Sequence, residues 1–133
     1  MSQANVELVQ AAFRAFERRD FEGVLRLCDA DIEIIQPPEL PDVARRQRGH
    51  AGVLEAFAIW PEQWDNYEVE ILRIAEIGAQ VVVTTLQSGL GKGSGARVEA
   101  RFSFLFAFRA GKIAEWRMFM QEADALEAAG QRP

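Results

Sequence analysis

The sequence predicts an α+β domain in which helices close over one face of a curved antiparallel sheet. In the first part of the chain apolar residues recur at helical spacing, whereas from Tyr67 onward they alternate with polar residues at the period of a strand. The connections between the later strands are short, which favours antiparallel neighbours. Helices first and strands afterwards indicate an α+β layout rather than the regular alternation that builds a parallel sheet.

Length and composition are those of one globular domain. The chain has 133 residues, of which 49% are hydrophobic and 26% charged. No linker or internal repeat interrupts it, so residues 1–133 are expected to form a single domain around one core.

The first elements follow from local patterns. Residues 5–19 predict an amphipathic helix. Asp20 is suited to cap a second short helix that runs through Cys28, because its side-chain oxygen can accept a backbone N–H. Residues 31–36 are β-branched and partly alternating, which predicts a short strand, and the following Pro-Pro pair ends it by removing backbone donors.

The rest of the chain begins with an aperiodic stretch, residues 39–48, which contains three arginines and is predicted to be a loop over one end of the domain. Residues 51–60 predict a third helix. Four strands are then expected at residues 67–76, 81–88, 97–109 and 112–120. Residues 122–129, followed by Gly130, predict a final helix with a glycine cap.

The strand at residues 97–109 separates its side chains into two faces. One face carries four alternate phenylalanines, Phe102, Phe104, Phe106 and Phe108, after Val98 and Ala100. An exposed aromatic stripe would promote aggregation, so this face must pack beneath the helices, either as plain core or as the wall of a cavity. The cavity is favoured by bulky aromatic and sulfur side chains expected to converge there from other elements, namely Phe13, Phe16, Phe57, Trp60, Trp116, Met118 and Met120.

The opposite face of the same strand mixes Leu105 and Ala107 with charged residues. This mixture suits a sheet surface that is partly buried in a symmetric dimer, and a solvated face would have the same composition. Both interpretations stay open at this point.

Several local strings, in their order and spacing, resemble the SnoaL-like family of the nuclear transport factor 2-like superfamily. They are RDFEG at residues 19–23, QP at 36–37, RGHAGV at 48–53, FRAGKI at 108–113, EW at 115–116 and ALEAAG at 125–130. The resemblance covers nearly the whole chain. It implies a cone-shaped fold of cystatin-like topology, with a deep pocket between N-terminal helices and sheet, and a homodimer formed through the sheet. The family includes polyketide cyclases, ketosteroid isomerase and limonene epoxide hydrolase, so the fold does not decide the activity.

The acid and base groups of two of these enzymes are missing from the matching positions. In the resemblance to ketosteroid isomerase, Gln36 stands at the position of the base, Ala12 at that of the tyrosine and Phe104 near that of the aspartic acid. An amide cannot accept a proton at neutral pH. Gln121 stands where epoxide hydrolase relatives often place an acid, which breaks the carboxylate pair that this mechanism needs.

His50 is the one histidine of the chain, and histidine is the residue type whose ordinary pKa suits proton transfer near neutral pH. It directly follows Gly49 at the start of the third helix, where a structural or capping role is the alternative. Gln36 is the other polar residue expected in the pocket. The catalytic residues stay unassigned, with His50 and Gln36 as candidates. Glu99 and Arg101 lie on the face opposite the phenylalanines, where a cross-strand salt bridge or a dimer contact is expected.

Charge and motif content exclude other classes of function. A net charge of −5 gives no basic footprint for nucleic acid. No signal peptide or apolar span of membrane length is present, so no membrane partner and a cytoplasmic location are expected. Cys28 is alone and far in sequence from His50, so no metal site is expected, and it is read as a buried packing thiol. No dinucleotide fingerprint occurs, and no cofactor is expected.

The sequence therefore predicts a homodimeric protein that binds a small hydrophobic metabolite, with cyclase, isomerase or hydrolase activity left open. The predicted lining residues are Phe16, Ile34, Gln36, Phe57, Trp60, Phe102, Phe104, Trp116, Met118 and Met120. The alternative is a noncatalytic module for dimerisation or protein interaction, with a filled core.

Overall fold

The computed structural model describes residues 2–40 and 44–130, and the side chains of residues 2 and 59–62 are outside the description. In chain order the elements are α1 (Ser2–Glu17), α2 (Phe21–Arg26), β1 (Cys28–Ile35), β2 (Arg46–Arg48), α3 (Gly49–Glu62), β3 (Trp64–Ile77), β4 (Gln80–Gly91), β5 (Arg97–Arg109), β6 (Lys112–Phe119) and α4 (Glu122–Gly130).

The strands form one curved six-stranded sheet in the order β2-β1-β6-β5-β4-β3. The predicted α+β class and the antiparallel run from β3 to β6 are confirmed. The pairing of β1 with β6 is parallel, with Ile34 opposite Trp116. Sequence patterns did not predict this pair, because the two strands are far apart along the chain and no short turn joins them.

The short second helix is capped as predicted but ends earlier. Asp20 accepts a hydrogen bond from the backbone N–H of Gly23 at 3.0 Å. The helix stops at Arg26, and the prediction that it runs through Cys28 is wrong, since Cys28 is already in β1 opposite Ile113. The chain leaves the helix after Arg26 because Cys28 pairs with β6 of the sheet.

The stretch predicted as a loop at residues 39–48 ends in a strand. Arg46–Arg48 forms β2 and pairs antiparallel with β1. Glu33 of β1 accepts hydrogen bonds from Arg46 and Arg48 at 3.4 and 3.0 Å. The three residues of β2 are all polar, so they show no alternation of apolar and polar side chains from which a strand could be predicted. The strand is recognised only from its pairing with β1. Residues 41–43 lie outside the described part of the chain.

The main core lies between the N-terminal helices and the inner face of the sheet. Phe102, Phe104 and Phe106 are all buried in it, which confirms that the aromatic face of β5 points inward. Phe108 is partly buried against the same cluster, whereas Val98, at the far end of the strand, is 40% exposed.

A second, smaller core lies on the opposite face of the sheet, beneath α4. Leu105 and Val82 are fully or nearly fully buried there with Ala125 and Ala129 of α4. The protein's own C-terminal helix therefore covers Leu105. The residue pattern of β5 alone allows a partner subunit or solvent at this position, and neither is what covers Leu105.

One carboxylate ties α4 to the sheet. Glu122 accepts two hydrogen bonds from the guanidinium of Arg73, both at 2.8 Å, and one from the hydroxyl of Thr84 at 2.6 Å. These hydrogen bonds, of which those from Arg73 have the largest effect, hold the pKa of Glu122 below its usual value of 4.5.

In the described part of the chain, no helix has the length and apolar character needed to cross a membrane.

Candidate ligand cavity

A cavity of about 260 Å³ lies between α1, α3 and the inner face of the sheet. Its walls are aromatic and aliphatic side chains interrupted by three amides and one carboxylate. The lining residues are Phe13, Phe16, Ile34, Ile35, Gln36, Leu40, Ala44, Gln47, Glu55, Ala56, Phe57, Gln87, Phe104, Trp116 and Met118.

Aromatic rings in edge-to-face contact form much of the wall. The ring centroid of Phe57 lies 4.8 Å from those of both Phe16 and Trp116, and that of Phe13 lies 5.4 Å from Trp116. Such geometry is favourable beyond simple area burial and holds each ring in place. Ring-to-ring contacts therefore hold the aromatic side of the cavity wall in place.

Gln87 is a lining amide whose orientation is fixed by its neighbours. Its Oε1 accepts a hydrogen bond from the Tyr67 hydroxyl at 2.5 Å, and its Nε2 donates to the Thr85 hydroxyl at 3.3 Å. Thr85 in turn donates to the carbonyl of Phe102 at 3.1 Å. Because all these side chains are buried, the chain of bonds defines which end of the amide is oxygen.

Gln47 of β2 is a lining amide of a different kind. Its Oε1 is buried and has no hydrogen-bond partner among the described residues. The side chain packs on α3 at Gly52, where a Cβ atom would lie 2.9 Å from the Cβ of Gln47. A glycine in the helix thus permits the close approach that places this amide at the cavity.

Gln36 lies at the end of β1, where the chain turns into the Pro-Pro pair. Its backbone N–H donates to the carbonyl of Arg45 at 2.8 Å, and its own carbonyl accepts from the Arg45 guanidinium. These backbone bonds fix the residue while its side chain reaches the cavity.

The carboxylate of the lining set belongs to Glu55, which is exposed, as is Ala44. The mouth of the cavity therefore lies between α3 and the segment that precedes β2. Among the described lining residues, Glu55 is the one with an ionisable side chain, and the interior offers amides, which donate and accept hydrogen bonds but do not act as acids or bases at neutral pH.

Comparison with known proteins places this arrangement in a family. A family model described as a SnoaL-like domain matches residues 9–116, which is most of the chain. The chain belongs to the SnoaL-like family. A search of curated proteins finds no match to the SnoaL-like chain.

Solved structures share the fold of this SnoaL-like protein. TerC, co-crystallised with polyporic acid, is 23% identical with a TM-score of 0.78, and the match covers 95% of this chain and 98% of TerC. A Jannaschia sp. CCS1 protein classified as a SnoaL-like polyketide cyclase is 21% identical with a TM-score of 0.77, covering 98% and 94%. An NTF2-like protein from Burkholderia xenovorans LB400 is 27% identical with a TM-score of 0.68, covering 96% of each chain. The nuclear transport factor 2-like fold implied by the resemblance is confirmed.

The structure brings most of the predicted site residues of the SnoaL-like protein together. Those at the cavity are Phe16, Ile34, Gln36, Phe57, Phe104, Trp116 and Met118. The side chain of Trp60 lies outside the described residues. Phe102 is buried in the core but does not line the cavity, because it lies further along β5. Met120 lies beyond the end of β6; it packs against the main core but does not line the cavity, and it borders a separate depression of about 210 Å³.

Sequence analysis missed several cavity residues, notably the polar ones Gln47, Glu55 and Gln87. Gln87 carried a usable signal, since it lies on a strand whose alternation points it to the same face as Val83 and Thr85. Gln47 carried none, because β2 itself was not predicted.

Three further residues singled out in the sequence, His50, Cys28 and Glu99, lie away from the cavity. His50 is exposed, does not line the cavity, and its Nε2 is 3.2 Å from the backbone carbonyl of Cys28. This is the structural role that sequence analysis weighed against catalysis. Cys28 is buried, as predicted, and burial raises the pKa of its thiol to about 12, against an opposing effect of the Lys112 charge. Glu99 forms its ion pair with Arg97 on the same strand, at 3.0 Å, rather than across strands.

Proposed function

We propose that this SnoaL-like protein binds a small, largely apolar molecule in the cavity between α1, α3 and the sheet. The observation that carries the proposal is an aromatic-lined space of about 260 Å³ inside an otherwise packed core. Protein interiors are normally as dense as organic crystals and contain few voids larger than a water molecule. A space of this kind fits the general description of ligand sites, which are concave, mostly apolar and marked by a few polar groups.

The cavity also bears on the alternative of a noncatalytic interaction module. In such a module the phenylalanines of β5 would fill the interior, whereas Phe104 here borders open space together with Phe57 and Trp116. The binding proposal gains further support from TerC, a structural neighbour co-crystallised with polyporic acid.

The lining residues can bind a ligand and orient it. Gln36, Gln47 and Gln87 can position or polarise a polar group by hydrogen bonds, but an amide cannot act as the general base of an isomerase or cyclase. Among the described lining residues, the carboxylate suited to acid–base turnover is that of Glu55 at the rim, and loss of turnover in Glu55→Gln is the corresponding test.

Calorimetric titration with naphthalene tests the binding proposal. We expect saturable binding, because the flat bicyclic ring suits the aromatic wall. Ala56→Trp should abolish it by filling the cavity, since Ala56 is a lining residue. Leu54→Trp is the matched control, because Leu54 lies on the same helix but is 43% exposed and not at the cavity. No binding to the wild type, or equal loss in both variants, would contradict the proposal.

We also propose that the protein forms a homodimer through the part of the sheet that α4 leaves uncovered. There Glu70, Leu86 and Arg101 form one cross-strand row on β3, β4 and β5, with the two charged residues exposed. A two-fold axis along the strands sets Glu70 of one copy opposite Arg101 of the other, so the row is complementary to itself.

Charge reversal tests this dimer. Glu70→Arg and Arg101→Glu should each shift the sedimentation velocity profile toward the monomer, and the double variant should restore the dimer. Arg18→Glu, at an exposed turn on the other side of the molecule, is the control. This interface would be excluded if the wild type were monomeric, or if the double variant formed no more dimer than the single variants.

A further inference from the structure

The buried oxygen of Gln47 indicates which chemical group a ligand of this cavity carries. In native proteins, nearly all buried polar atoms find a hydrogen-bond partner, and an unpaired one calls for an explanation. Gln47 Oε1 is buried, lies on a residue that lines the cavity, and has no partner among the described residues. A carbonyl oxygen accepts hydrogen bonds and cannot donate them, so the group that satisfies it must carry a hydrogen.

Two other polar lining groups, Gln87 and Glu55, bear on the charge and orientation of a ligand. The Oε1 of Gln87 already accepts from Tyr67, so its orientation is set by the protein. Glu55 at the rim offers a carboxylate, which also accepts hydrogen bonds and repels anions. Lysine, arginine and histidine are absent from the described lining residues, so nothing in this set compensates a negative charge on a ligand.

We infer that the cavity selects a neutral aromatic molecule bearing a hydroxyl or N–H group, which donates to Gln47 Oε1, and that it discriminates against the corresponding carboxylate. This inference rests on the proposed function and adds the substrate class and the residue that recognises it. The aromatic walls take the ring, and Gln47 specifies where its polar substituent lies.

An unpaired buried acceptor lowers the stability of the ligand-free protein. It contributes favourably only in the complex, where a ligand donates a hydrogen bond to it. Replacing Gln47 by an apolar side chain of similar length removes the unsatisfied atom, so the free protein should become more stable while recognition of the donor is lost. Opposite shifts of melting temperature and affinity are therefore the signature of this role. If Gln47 had only a structural role, its replacement would lower both the melting temperature and the affinity for the ligand.

Three ligands separate the ring from its substituent: naphthalene, 2-naphthol and 2-naphthoate, titrated calorimetrically at neutral pH. The wild type should bind 2-naphthol roughly tenfold more tightly than naphthalene, as expected for the net contribution of one hydrogen bond. It should bind 2-naphthoate more weakly than both. In Gln47→Met the affinity for 2-naphthol should fall to that for naphthalene, the affinity for naphthalene should stay unchanged, and the melting temperature should rise.

Gln80→Met is the matched control. Gln80 Oε1 is also buried without a partner among the described residues, but Gln80 does not line the cavity. This variant should become more stable and keep the wild-type preference for 2-naphthol. Gln47→Leu serves as a second variant if Gln47→Met does not fold.

Two results overturn the inference while leaving the proposed function intact. One is naphthalene binding with no preference for 2-naphthol, or with tighter binding of 2-naphthoate. The other is an unchanged preference in both Gln47 variants. A wild type that binds none of the three ligands overturns the proposed function itself, and this inference with it.

Discussion

Gly52 of α3 lies directly against Gln47 of β2. A Cβ atom at Gly52 would be 2.9 Å from the Cβ of Gln47 and 3.0 Å from its carbonyl carbon, closer than real Cβ atoms pack. The contact reaches the backbone of β2, so a side-chain rotation cannot relieve it. This one glycine therefore couples the position of α3 to the position of the amide that we assign to ligand recognition.

Gly52→Ala should destabilise the protein and move Gln47. Overpacking at a site with a rigid neighbour typically costs about 1–3 kcal/mol, which urea unfolding measures. The preference for 2-naphthol over naphthalene should shrink as the amide is displaced. Gly130→Ala is the control, since nothing lies within 4 Å of a Cβ atom at that position. Unchanged stability and preference in Gly52→Ala would show that β2 adjusts freely.

Tyr67→Phe should lower the free energy of unfolding by about 1 kcal/mol, because it removes the hydroxyl that donates to Gln87 Oε1 inside the core. A double-mutant cycle with Gln87→Met measures the coupling by urea unfolding. We expect the second substitution to cost less in the Tyr67→Phe background than in the wild type. Strictly additive losses would mean that the two groups contribute independently.

The thiol of Cys28 should resist alkylation in the folded protein. Burial raises its pKa to about 12, so little thiolate exists near pH 8, where an unfolded cysteine reacts readily. Iodoacetamide labelling followed by mass spectrometry should show modification only when urea unfolds the chain. Rapid labelling of the native protein would contradict the burial of this group.

The same pKa predicts a loss of stability at high pH. The unfolded thiol releases its proton near its ordinary pKa of 9.0, whereas the folded thiol keeps it up to about 12. Between these values the folded state binds more protons, so the free energy of unfolding should fall as pH rises, by up to about 1.4 kcal/mol per pH unit. Cys28→Ala should lack this contribution, and equal slopes in the two proteins would contradict the prediction.

Docking of α4 should weaken in acid. Hydrogen bonds from Arg73 and Thr84 hold the pKa of Glu122 below 4.5, so its stabilising effect is present above pH 4.5 and is lost as pH falls through the lowered value. The protection factors of the amides in residues 122–130 against hydrogen exchange should fall over that range. In Glu122→Gln these protection factors should already be lower at neutral pH and should change little as the pH is lowered. Unchanged protection of α4 in this variant would show that the apolar contacts of Ala125 and Ala129 suffice.

Periodicity along the chain predicted the elements whose causes are local. Alternation identified β5 and placed Phe104 and Phe106 on its inner face, and the side chain of Asp20 capped α2 as expected. These features depend on residues a few positions apart, so one sequence without relatives is enough to derive them.

The tertiary structure alone decided the features that join distant segments. The parallel pairing of β1 with β6, the short strand β2, and the cover that α4 gives to Leu105 depend on contacts between parts of the chain that no local pattern relates. The sequence by itself determined that the alternate phenylalanines of β5 face inward. The position of the space they leave open, and the placement of Gln47 beside it, follow from how far α3 and the curved sheet stand apart, and that distance arises only when all the layers have packed.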